Sequence, residues 1–221
     1  MSTSSLAYLR AATVAIAPTV VLAAWLYHPF IATPTDASDV AAEATADLTR
    51  WGLAHIILGA GYGLMILAFV ALRSGLREAG EERWSGFALP FIVLGSLLFA
   101  MLTGMEFVPL AAAESGGDPE AAQTELRPWF VTILVISGVS FALGAIGFAL
   151  AIARSKILNP PLSRVVVVAL LVLAFGRFVP LGAAQIVLGL AGVAALWPIA
   201  YHMWTEARKL EAASLDPLLA P

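Results

Sequence analysis

The sequence predicts an all-α fold, a polytopic membrane protein whose six transmembrane helices form three hairpins with their turns on the outer side. Three observations lead there. Of 221 residues, 60% are hydrophobic and only 12% are charged, more apolar surface than a soluble domain of this length can hide. The apolar residues fall into runs of about membrane-spanning length, broken at charged or Pro/Gly-rich points. The basic residues divide unevenly between the two sets of loops.

The expected helices cover residues 9–28, 51–72, 87–110, 129–153, 165–179 and 181–204. The first carries only Arg10 ahead of it, and a cleavage within "AIAP" would fall before Pro18. It is therefore read as a retained anchor and not a signal peptide. The last two come from one run too long for a single span, divided by "VPLG" at 179–182 as a tight turn. The whole chain, 1–221, is read as one domain of hairpins at about 9–72, 87–153 and 165–204, with 205–221 as a short cytoplasmic tail.

Orientation follows from Lys and Arg. Arg10, Arg73, Arg77, Arg83, Arg154, Lys156, Arg164, Arg208 and Lys209 fall on one side, and Arg50, Arg127 and Arg177 on the other. The richer side is the cytoplasmic one, so both termini are expected in the cytoplasm of a cell-membrane protein. Trp25, Trp51 and Trp129 near outer helix ends, and Trp84, Trp197 and Trp204 near inner ones, match an interfacial belt.

The hairpins read as repeats. "EFVPLAAA" at 106–113 and "RFVPLGAA" at 177–184 close the third and fifth helices. Pro29, Pro109 and Pro180 mark the outer ends of the odd helices, and the acidic segments "DVAAEATADLTRW" and "DPEAAQTELRPW" follow two of them. Copies of one orientation imply an axis along the membrane normal. The acidic segments are expected to form short surface helices over the outer mouth, the first capped by Ser38 with Val40, Ala44 and Leu48 on one side. Small residues predict close helix packing: Gly59 and Gly63, then Ser96, Ala100 and Gly104, then Ser140 and Gly144.

Intramembrane polar residues are few, and they are costly unless they serve structure or function. His28, His55, Glu106, Arg177 and Gln185 share a depth about one turn below the outer surface, and Tyr62 lies deeper on the His55 face. His202 reads as an interfacial residue at the inner end. If the hairpins are copies, Glu106 and Arg177 occupy equivalent places and are expected to pair across the axis.

Function is narrowed by exclusion. The chain has no cysteine, so disulfides, thiolate metal sites, iron–sulfur clusters and cysteine nucleophiles are ruled out. A net charge of −3 without like-charge blocks argues against nucleic acid as a partner. The first reading is a protein of the lipid bilayer with a polar site in its outer half, made by His55, Glu106, Arg177, Gln185 and Tyr62, that binds a small molecule or partner or serves an accessory role. A second is a redox protein in which His28, His55 and Glu106 hold a metal ion, or His28 and His55 ligate a haem iron from opposite sides. A third is a small-molecule transporter, disfavoured by the apolar inner half. The stretch "AHIILGAGYG" resembles the histidine helix of rhomboid proteases, but no GxSG serine motif accompanies it, so an intramembrane hydrolase ranks last.

Overall fold

The computed structural model describes residues 3–179 and 181–215. They form eight helices in the order α1 (Thr3–Tyr27), α2 (Ala37–Ala46), α3 (Leu48–Glu78), α4 (Arg83–Met105), α5 (Phe107–Glu114), α6 (Pro119–Ser155), α7 (Pro160–Gly176) and α8 (Gly182–Leu215), with no strand among the described residues. Five stretches, α1, α3, α4 with α5, α6 and α8, are long and apolar enough to cross a membrane. Their outward faces carry Ile16, Leu26, Ile56, Leu67, Leu97, Val139 and Leu190, all more than 40% exposed. A surface this apolar belongs in lipid. The sixth apolar helix, α7, has 17 residues and so a length of about 26 Å, a little short of the roughly 30 Å hydrocarbon core.

The tertiary order is simple. Helix α1 packs against α3, α3 against α4, α4 against α6, α6 against α7 and α7 against α8, which returns to α1. The ends are tied by side chains. Arg10 of α1 pairs with Glu78 of α3 at 2.9 Å, and Tyr8 donates to Glu211 of α8 at 2.7 Å. The start of α1 and the ends of α3 and α8 therefore share one end of the bundle. At that end and through the middle the core is filled by Phe69, Leu72, Leu76, Phe148, Ile152 and their neighbours.

Several boundaries differ from expectation for local reasons. The third apolar run breaks at Glu106, because Pro109 has no N–H to offer the Met105 carbonyl and its ring crowds that position. The chain turns there and resumes as α5. The second acidic segment is continuous with the membrane helix behind it: Asp118 accepts from the Glu120 and Ala121 amides, Pro119 suits the first helical turn, and α6 runs through Pro128. Helix α2 is capped by Asp36, which accepts from the Ser38 and Asp39 amides, and not by Ser38. The Ser38 hydroxyl instead donates to Asp36 at 2.7 Å. That bond is the main reason the Asp36 carboxyl sits below its ordinary pKa, with the Asp39 and Ser38 amides adding to it. Val40 and Ala44 are buried as the pattern predicts. Pro180, the expected end marker of the fifth helix, lies outside the described residues, but α7 ends at Gly176 with Arg177 as its cap.

Close packing is concentrated between α4 and α6. A Cβ added at Gly95 would meet the Phe141 backbone nitrogen at 2.6 Å, and one at Gly144 would meet the Ile92 backbone nitrogen at 2.7 Å. Gly63 and Gly104, expected at contacts, have open space beside them. A small-residue spacing marks a permissive face, and only the neighbouring helix decides whether it is used.

Candidate functional site

At the other end of the bundle the helices separate around a cavity of about 430 Å³ whose walls include His28, His55, Tyr62, Glu106, Arg177 and Gln185. All six positions singled out from the sequence thus border the same space.

Its first wall is aromatic. His28 lies just beyond the last turn of α1, and its amide bonds the Ala24 carbonyl at 2.8 Å. Arg50, in the first turn of α3, donates from Nε to the Tyr27 carbonyl at 2.8 Å and from Nη2 to the His28 carbonyl at 3.4 Å. A cation suits the carbonyl-rich end of α1. The next residue, Trp51, is 1% exposed. It was expected in the interfacial belt; it is a cavity wall instead, because its indole N–H has a partner inside the protein, the Glu106 carbonyl at 2.8 Å. The ring of His28 stands 5.3 Å from that of Trp25 and 5.2 Å from that of Trp51, and Trp51 lies 4.6 Å from His55.

The two histidines meet directly. Their Nε2 atoms are 3.3 Å apart. His28 Nδ1 contacts the Pro29 carbonyl at 2.6 Å, and His55 Nδ1 contacts the Trp51 carbonyl at 2.8 Å. A haem iron held from opposite sides needs its two ligand nitrogens about 4 Å apart, twice a metal–imidazole bond of about 2 Å, with the porphyrin between them. The observed contact leaves no room for that. Glu106 does not complete a two-His-one-carboxylate set, and among the described residues no three His, Asp or Glu side chains gather as a metal cage.

Two further charged residues line the cavity. Glu106 caps α4 and Arg177 caps α7, so the two residues opening the repeated octapeptides do occupy matching helix-end positions. They do not pair: Arg10–Glu78 and Lys209–Glu206 form ion pairs, and none joins Glu106 to Arg177 among the described residues. A matching position along the helix does not set the direction in which a side chain leaves it. Arg177 lies over Phe141 at 3.9 Å and Phe99 at 4.1 Å, with Tyr62 at 5.5 Å. Ring faces hold a guanidinium well in a water-poor setting but accept none of its hydrogen bonds directionally. Its Nε and Nη1, the Glu106 Oε2 and the Gln185 Oε1 are buried without a hydrogen-bond partner.

Sequence reasoning passed over Arg50, Trp51, Phe99 and Thr103, which also line the cavity. Arg50 had a readable signal. A cation in the first turn opposes the helix dipole, so it marks a partner on another element. The aromatic residues had none, since ring spacing in an apolar helix is the same for core, lipid face and pocket. Comparison with family models, curated proteins and solved structures returns no match.

Proposed function

We propose that this is an integral protein of the cell membrane that binds a small amphipathic molecule in the outer half of a six-helix bundle. The observation that carries the proposal is the set of partnerless buried polar atoms on residues that line one largely apolar cavity: Arg177 Nε and Nη1, Glu106 Oε2 and Gln185 Oε1. Buried donors and acceptors without partners each cost about 1–3 kcal/mol, more when charged. A ligand that satisfies them recovers that cost. The chemistry asks for an apolar body against Trp25, Phe30 and Leu134, and an oxygen acceptor such as a carboxylate or carbonyl for Arg177. A cavity of about 430 Å³ is within the usual range for small-molecule sites.

The orientation belongs to the same proposal. With α7 as a sixth span, three hairpins turn on the outer side and both termini lie in the cytoplasm. The shared end of Tyr8, Arg10, Glu78 and Glu211 supports this topology, as does the excess of Lys and Arg there. The matching caps at Glu106 and Arg177 support an origin by duplication. The packed inner half around Phe69 and Phe148 favours binding over passage through the bundle.

The test is extraction. Protein purified from membranes in mild detergent, then denatured in organic solvent, should release one class of lipophilic acid or carbonyl compound by mass spectrometry. Arg177→Gln should lose it. Identical extracts from the two proteins would remove the basis of the reading.

A further inference from the structure

We propose that His28 and His55 form a binding site for a tetrahedral divalent metal ion, best matched by Zn²⁺, with its remaining coordination positions open to the cavity. The tautomers decide it. Each Nδ1 faces a main-chain carbonyl oxygen, Pro29 at 2.6 Å and Trp51 at 2.8 Å. A carbonyl oxygen only accepts, so each Nδ1 carries the ring hydrogen and each neutral Nε2 carries a lone pair. The two Nε2 atoms lie 3.3 Å apart on rings that are 9% and 5% exposed. Two acceptors held face to face repel unless an electron-pair acceptor lies between them.

The arrangement is the one metal-ligating histidines adopt, in which an outer carbonyl fixes the tautomer and aims the other nitrogen at the ion. The separation is also compatible with two ligands of one ion. Two imidazoles about 2.0–2.1 Å from one ion stand about 3.3–3.4 Å apart at the tetrahedral angle and about 2.9 Å apart at a right angle. The observed 3.3 Å matches the first, the geometry Zn²⁺ prefers with nitrogen ligands. The site is held on both sides. Arg50 pins the His28 carbonyl, and the Trp25 and Trp51 rings pack on the histidines. Since no third His, Asp or Glu joins the pair among the described residues, the other positions go to water or to donor atoms of a molecule in the cavity. The site does not depend on an organic ligand being bound.

Tag-free protein, stripped with a chelator and titrated with Co²⁺, tests this directly. One Co²⁺ per chain should bind with the intense visible absorption of a four-coordinate site, and Zn²⁺ should displace it. His28→Gln and His55→Gln should each lose the band, while His202→Gln keeps it. Arg177→Gln should also keep it, which separates this site from the organic ligand proposed above. Should the histidine variants fail to fold, X-ray absorption on Zn²⁺-loaded wild type must count two imidazole ligands. A wild type that takes up neither ion, or binds Zn²⁺ without imidazole, overturns the proposal; the pair then holds a shared proton between its Nε2 atoms.

Discussion

Trp51 joins two helices through one hydrogen. Its indole N–H reaches the carbonyl of Glu106, at the point where α4 has broken and a carbonyl faces the cavity wall. Trp51→Phe keeps most of the ring and removes the donor, so it should lower stability by about 1–2 kcal/mol. Reversible unfolding in detergent reads this, and an unchanged midpoint would show that water replaces the indole. Glu106 and Arg177 behave differently because neither holds the other. Glu106→Gln should leave stability unchanged or raise it, since it replaces a buried carboxyl whose Oε2 has no hydrogen-bond partner. Breaking a true buried pair costs about 3–5 kcal/mol. A double-mutant cycle with Arg177→Gln should give a coupling below about 1 kcal/mol, and a larger one would restore the pairing that the repeated octapeptides predict.

At the scale of elements, the contact between α4 and α6 is the one most sensitive to volume. Gly95→Ala and Gly144→Ala each push a methyl into opposing backbone and should cost about 1–3 kcal/mol. Gly63→Ala, which meets open space, should be neutral or slightly stabilising because alanine favours helix. Thermal melting of the three variants separates them, and equal losses would mean that the helices do not cross where they are seen to. Helix α2 depends on its cap. Asp36→Ala should speed amide exchange across residues 37–46, whereas Ser38→Ala should do so less, because the Asp36 carboxylate still accepts both amides. The depressed pKa of Asp36 gives the sign of the acid response. A carboxylate whose folded pKa is lowered stabilises above its unfolded pKa and loses that contribution as pH falls through the folded value. The cap should therefore hold through the ordinary carboxylate range and fail only below it.

For the whole molecule the decisive measurement is sidedness. The chain has no cysteine, so single cysteines report cleanly. Exposed positions suit the purpose: Ala42 in α2, Gly117 before α6 and Ala79 after α3. In intact cells an impermeant thiol reagent should label Ala42→Cys and Gly117→Cys and leave Ala79→Cys untouched. The reverse pattern would invert the bundle. Much of this architecture is legible without coordinates, because lipid imposes a one-dimensional rule: apolar runs of the right length become helices, and charge marks their ends. Breaks and caps were less legible. Pro109 divides a run that hydropathy alone leaves whole, and Asp118 starts a helix ten residues ahead of the apolar stretch beginning at Trp129.

Membrane residence, the placing of most helices and the gathering of His28, His55, Glu106, Arg177 and Gln185 at one end of the bundle were legible in the sequence alone, since each depends on distance along a helix axis, which residue number measures at about 1.5 Å per step. Azimuth was decided only by the tertiary structure. It set Arg177 on Phe99 and Phe141 instead of Glu106, hid Trp51 in a cavity wall and brought two histidine nitrogens within 3.3 Å of each other. Azimuth depends on how each helix is rotated against its neighbours, and that rotation is settled by the packing of all the helices together.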